Sequence, residues 1–210
     1  MSDLVSPSTL CCVLAGELIG FAAGGLSCVT GIPQAQRLHV LGHGRGVSLL
    51  SWLVIASANS AWLGYGVRIH APAVSVSNGL TLLVTISVIM SLSGIAVSTI
   101  SKTGSIVVLS AAAAWGLPAS VVKVAMVGFT LSRAPQVVHS WRSKRNQIAG
   151  TAVSIPSLAV SLTSLILWGT YSVAVNKPFL TLTTGIALSL AVAIGWLELT
   201  NRPVADREMT

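Results

Sequence analysis

Residues 47–82 read VSLLSWLVIASANSAWLGYGVRIHAPAVSVSNGLTL, and residues 153–188 read VSIPSLAVSLTSLILWGTYSVAVNKPFLTLTTGIAL. Laid over one another at a shift of 106 positions, they match at Val47-Ser48 and Val153-Ser154, Ser51 and Ser157, and Val54 and Val160. The matches continue through Trp62 and Trp168, Tyr65 and Tyr171, Val67 and Val173, Pro72 and Pro178, Gly79 and Gly185, and Leu82 and Leu188. A shift of 102 lays Pro33-Gln34 on Pro135-Gln136. The small difference in shift falls in a basic loop, where a change of length costs little closure entropy. Ordered self-similarity over such a distance marks a chain assembled from two copies of one unit.

Composition names the solvent of that unit. Of the 210 residues, 53% are hydrophobic and only 8% charged, and the mean hydropathy is +0.82. A water-facing domain carries about 25% charged residues, so a soluble enzyme and a disordered chain are both excluded and the bilayer is the expected surroundings. The three cysteines, Cys11, Cys12 and Cys28, have no metal-ligand spacing and form no even set for a disulfide framework. No cofactor and no metal are expected. Residues 1–9 hold Asp3 and no basic residue, unlike a signal peptide.

A spanning helix needs about 20 apolar residues. Apolar stretches lie at about 11–34, 48–67, 73–98, 104–117, 119–138, 152–173 and 179–198. The fourth is short, and Pro118 separates it from the fifth; two helices or one long kinked helix both fit there. The charges favour two. Arg37 and Arg45 follow the first span, Lys102 the third, Arg142, Lys144 and Arg145 the fifth, and Arg202 and Arg207 lie in the tail. With seven spans all of these fall on one side, which the positive-inside rule makes cytoplasmic, with only Arg68 and Lys177 opposite. The expected fold is therefore all-α and integral to the membrane, with seven transmembrane helices as two parallel three-helix repeats joined by one linker helix. Its parts are an extracellular N-terminus (1–10), a first repeat (11–100), a linker helix (101–118), a second repeat (119–198) and a cytoplasmic tail (199–210). Parallel repeats of this kind are a transporter architecture.

Pro33-Gln34 and Pro135-Gln136, each followed by basic residues, resemble the paired motifs of PQ-loop proteins. Val47-Ser48, then Trp62-x-x-Tyr65, then Asn78, resembles the SWEET/SemiSWEET sugar transporters, and the likeness runs over about residues 15–100 and 120–197. That resemblance implies a 3+1+3 helical fold in the plasma membrane and facilitated alternating-access movement of a sugar. It also implies a central pocket lined by a Trp and an Asn from each repeat, here Trp62, Trp168 and Asn78, and hinges at Pro33, Gln34, Pro135 and Gln136. The position matching Asn78 is Thr184, a departure that makes the pocket asymmetric and leaves sugar specificity open. An indole gives a flat apolar surface for the C–H face of a sugar, and an amide gives the hydrogen bonds its hydroxyls lose with water.

Helical spacing adds polar stripes: Ser154, Ser157, Ser161, Ser164 and Trp168 share one face, as do Ser48, Ser51, Asn59 and Trp62, and Asn78, Thr81 and Thr85. They read either as a hydrated path, with Asn59 in the binding site, or as small residues that let helices pack closely. Glu17 reads as the one carboxylate within a span, and Lys123 lies in the fifth. Both sit near helix ends, as charges reaching the interface or as a pair, and Glu17 is the candidate for proton coupling. His39, His43, His70 and His139 map to loops or helix ends and suggest no metal site.

No nucleophile–base pair, carboxylate pair or phosphate loop is present, so no enzyme is expected. The expected partners are a small-molecule solute (a mono- or disaccharide by the resemblance), the lipid bilayer and further copies of the chain in a homo-oligomer, with no nucleic acid. Two other functions stay open: a proton-coupled carrier of amino acids or other small solutes, and a non-transporting receptor on the same fold.

Overall fold

Where a helix ends and the chain turns back, one residue commonly enters the left-handed region, which asparagine and histidine tolerate better than most. His70 (φ 52) and Asn176 (φ 51) do this in two turns that occupy equivalent positions of the sequence repeat. His70 N–H donates to Val67 O at 3.2 Å and Ala71 N–H to Gly66 O at 2.9 Å, while Asn176 N–H donates to Val173 O at 3.1 Å and Lys177 N–H to Ser172 O at 2.9 Å. These are the two bonds of a Schellman motif, which close off carbonyls left open at a helix end. Pro72 and Pro178 then open the returning helices, where a missing N–H costs nothing. The sequence repeat is thus also a repeat in backbone hydrogen bonding.

The computed structural model describes residues 14–29, 49–93, 97–132, 134–145 and 155–200, with the backbone alone at 139, 143 and 155–157. The described residues are helix and turn, without a strand. Helix α1 is Leu14–Val29. It is followed by α2 Leu49–Arg68, α3 Pro72–Ser93, α4 Val97–Gly116, α5 Ala119–Leu131, α6 Ala134–Arg145, α7 Ile155–Ala174 and α8 Pro178–Thr200. Four stretches are long and apolar enough to cross a membrane: Pro72–Ser93, Val97–Gly116, Ala119–Arg142 and Pro178–Thr200. Leu14–Val29 and Leu158–Ala174 are apolar but shorter, and α2 carries Asn59, Ser51, Ser57 and Ser60 among its apolar residues.

One boundary differs from the sequence expectation. Helix α4 begins at Val97, not near Gly104. Its first turns hold Ser98, Ser101 and Lys102, all exposed, and a helix with an open side carries such residues at little cost. Pro118 (φ −53, ψ 139) is not helical, so α4 and α5 are separate helices and not one kinked rod. Helix α5 is described to Leu131 and α6 from Ala134, with residue 133 outside the described residues, and Pro135 falls in the first turn of α6 as so bounded; the stretch Ala119–Arg142 covers the fifth expected span. Proline fits there because it has no N–H to leave unpaired. The basic residues Arg142, Lys144 and Arg145 occupy the last turn of α6, not a loop, and cations are favourable at that end of a helix.

Helix α2 packs on α3 and α4, α7 packs on α8, α8 also meets α5 and α6, and α5 touches α2. Helix α1 lies against α3 and α7. A Cβ built on Gly20 would stand 2.6 Å from Ala73 Cβ and 2.8 Å from Tyr171 Cδ2, and one on Gly24 would overlap Ser77. Small residues permit this approach, as is usual where lipid supplies no hydrophobic drive between helices. Exchanging α1 with α5, α2 with α7 and α3 with α8 carries each α1 contact onto an α5 contact. Helix α4 has no such counterpart; it seats on α2 where a Cβ on Gly64 would overlap the Ala111 carbonyl.

Candidate functional site

Residues 14–93 and 119–200 meet along α1, α2, α5 and α7, and their contacts concentrate at the end that holds the two Schellman turns. Glu17 of α1 is the centre of one clasp. Its Oε2 accepts from Ala73 N–H at 2.9 Å and its Oε1 from Tyr171 O–H at 3.1 Å. A carboxylate at the start of α3 also meets the positive end of that helix. Lys177 Nζ donates to Ile69 O at 2.9 Å, tying one turn to the other. Phe179 stacks on Trp62 at 6.3 Å and meets Tyr65 edge-on at 5.6 Å, with Lys123 Nζ 5.7 Å from its ring centroid. Lys123 is therefore seated on an aromatic face and Glu17 in a hydrogen-bonded clasp. Among the described residues neither is the other's partner.

About two to three helical turns further along α1, that helix and α7 are joined by polar contacts. Ser27 Oγ and Ser164 Oγ are 2.7 Å apart, Ser164 donates to Ala23 O at 2.9 Å, and Trp168 Nε1 donates to Ser27 Oγ at 3.3 Å. Between α1 and α3, Cys28 Sγ lies 3.2 Å from Thr81 Oγ1. Asn59 Nδ2 of α2 donates to Thr85 Oγ1 of α3 at 3.3 Å. Several residues of the polar stripes identified in sequence are thus engaged between helices, Asn59 included.

The residues matched to a sugar pocket are disposed differently. Trp62 and Trp168 are half-buried and pack against one shared cluster, Ala71, Ala73, Val74, Tyr171 and Leu180. Asn78, half-buried, donates Nδ2 to Val74 O of that cluster at 2.8 Å. Thr184 of α8 is also half-buried, and a Cβ on Gly169, beside Trp168, would lie 3.8 Å from its methyl. Among the described residues the indole N–H of Trp62, the amide oxygen of Asn78 and the hydroxyl of Thr184 have no hydrogen-bond partner. Thr184 is unlike its neighbour Thr183, whose hydroxyl returns to Phe179 O at 3.1 Å. Pro33 and Gln34 lie outside the described residues; Pro135 and Gln136 are exposed in the first turn of α6.

Toward the opposite end the described apolar clusters join α2 and α3, with Val107 of α4, and no residue of 119–200. Val88 packs with Trp52, Val84 and Leu92, and Ile89, Leu82 and Ala56 pack with Trp52, Leu53, Ile86, Met90 and Val107. Here the sequence reading overlooked Glu198. Only 2% exposed in α8, it accepts from Ser140 O–H at 2.6 Å through Oε1, and its Oε2 is buried without a partner among the described residues. Glu17 is thus not the only carboxylate within an apolar helix. The signal was present in sequence as an acidic residue ahead of the end of a membrane-length run. Two open grooves lie elsewhere, one along α7 and α8 past Lys177 and Leu182 and one along α6. Among the described residues no group of His, Cys, Asp and Glu could hold a metal ion. No family model matches this chain, and no curated protein does.

Proposed function

We propose that the chain is a multi-pass carrier that moves a small neutral solute, a mono- or disaccharide, across the plasma membrane by facilitated alternating access. In this reading it has the 3+1+3 organisation of SWEET-like transporters, its N-terminus is outside, and α4 is the linker. The observation that carries the reading is the pair Trp62 and Trp168, from equivalent positions of the two repeats, on one cluster between the halves. Beside them Trp62 N–H, the Asn78 amide oxygen and the Thr184 hydroxyl remain free to bond a ligand. Indole faces against C–H surfaces and a few convergent polar groups are what a sugar needs on leaving water.

The contacts between halves supply the moving part. The Glu17–Tyr171 bond, the Lys177–Ile69 bond and the Phe179 stack hold one end closed, and rocking one half about the Ser27–Ser164–Trp168 junction would release them. Pro135, in the first turn of α6, serves as a hinge. The test is thermal unfolding of the purified chain against sugar concentration. A ligand that binds the folded state raises Tm by mass action. Glucose or sucrose is expected to raise Tm for the wild type and not for Trp62→Ala or Asn78→Ala; no shift with any sugar would remove the reading.

Glu198 favours a second reading, a proton-coupled carrier. A buried carboxyl oxygen without a partner inside a membrane-length helix is the kind of group that takes up and releases protons in such proteins. In that case Glu198→Gln, and not Glu17→Gln, would abolish a response of uptake to a proton gradient.

A further inference from the structure

The last turn of α6 carries Arg142, Lys144 and Arg145 and no acidic residue. Three positive charges exceed the roughly half negative charge of a helix C-terminus, so the turn needs an anion. The nearby carboxylate of Glu198 is 2% exposed and turned inward, with one oxygen on Ser140, and no contact links it to Arg142, Lys144 or Arg145 among the described residues. Lys144 Nζ instead donates to the Thr200 hydroxyl at 2.7 Å. The guanidinium of Arg145 lies 5.6 Å from the Trp141 ring centroid, held by a cation–π contact. Arg142 is exposed and has no partner among the described residues.

What lies along α6 from Arg142 defines the anion. Ala134, Pro135, Val138 and Arg142 line one open groove of about 560 Å³, with Val138 45% exposed. Arg142, Val138 and Pro135 are four and then three residues apart, so they form a single strip of the helix: a guanidinium at one end, apolar surface along the rest. Trp141, 49% exposed and one residue before Arg142, is the kind of aromatic that anchors at a membrane interface.

We propose that this groove binds an anionic phospholipid, with the phosphate bridged by Arg142 and Arg145 and the start of an acyl chain along Val138 and Pro135. A guanidinium fork suits a phosphate, and a free inorganic anion would satisfy the charge while leaving the apolar strip uncovered. Basic pockets at the ends of membrane helices recognise headgroups in this way. The proposal requires only that the chain sits in a bilayer, not that it transports.

The experiment is native mass spectrometry of the full-length chain exposed to phosphatidylglycerol and phosphatidylcholine with identical acyl chains. The wild type should retain phosphatidylglycerol preferentially. Arg142→Gln and Arg145→Gln should each reduce that preference about fivefold, the worth of one basic contact with an anionic lipid. Arg68→Gln, at the other end of the bundle, should leave it unchanged, and Val138→Asn should weaken retention with every charge in place. Equal retention of the two lipids by the wild type, or an undiminished preference in both arginine variants, would overturn the proposal. Displacement by inorganic phosphate with no effect of Val138→Asn would identify a headgroup-only anion site and overturn the lipid assignment.

Discussion

Replacing Tyr171 with phenylalanine deletes one oxygen atom from the clasp that closes the bundle at the end of the two Schellman turns. The ring is 0% exposed and stands 5.4 Å from Trp168, edge to face, so its packing is kept. What is lost is the 3.1 Å bond to Glu17, while Ala73 N–H still holds the other carboxylate oxygen. A hydrogen bond to a charged group contributes about 1.5 kcal/mol at the lower end of its range, and 1.4 kcal/mol is about a factor of ten in an equilibrium. If the clasp is a gate, the open population at that end should therefore rise about tenfold in Tyr171→Phe. The assay is the rate of maleimide labelling at Ala71→Cys, a site 1% exposed beside the clasp, in a chain whose own cysteines are serine. Val88→Cys, 0% exposed in a cluster toward the other end, reports general loosening. Labelling about ten times faster at 71 and unchanged at 88 is expected. No change at 71, or an equal rise at both sites, would refute the gate.

Other substitutions probe the rest of the structure. Gly64→Val must push its side chain into the Ala111 carbonyl, which is backbone and cannot yield cheaply; a loss of about 1–3 kcal/mol should appear as a lower Tm. Gly128→Ala should leave Tm unchanged or slightly higher, because nothing lies within 4 Å of the added carbon and alanine is the better helix former. Ser140→Ala leaves the buried Glu198 carboxyl with neither of its oxygens bonded, and should cost about 1–3 kcal/mol, read by thermal unfolding; stability equal to wild type would mean that water reaches this carboxyl. For Glu17→Gln, uptake under an imposed proton gradient should respond as the wild type does, since the structural role of Glu17 is the clasp; abolition of a response seen in the wild type would move proton coupling to α1.

What sequence made legible follows from how local each feature is. The helices α2, α3, α7 and α8 lie close to their apolar runs, and the repeat was visible because matched residues such as Trp62 and Trp168 stand at one constant offset. The early start of α4 was hidden because Ser101 and Lys102 read as a loop, and Val97 and Ser98 as the end of the preceding apolar run, until the helix is seen to have an open side. Partners were not legible at all. Glu17 finds Ala73 and Tyr171 at sequence separations of 56 and 154, and only the packing of α1 between α3 and α7 brings them together. Glu198 was passed over because an acidic residue near the end of a span looks like an interfacial charge; that it turns inward to Ser140 depends on where α6 lies.

Uptake of labelled glucose and sucrose into proteoliposomes, with and without a proton gradient, for the wild type and Trp168→Ala, tests the carrier most directly. The account predicts saturable uptake of at least one sugar, indifferent to the gradient and lost when the indole is removed. No uptake of either sugar, or uptake that Trp168→Ala leaves intact, would contradict it.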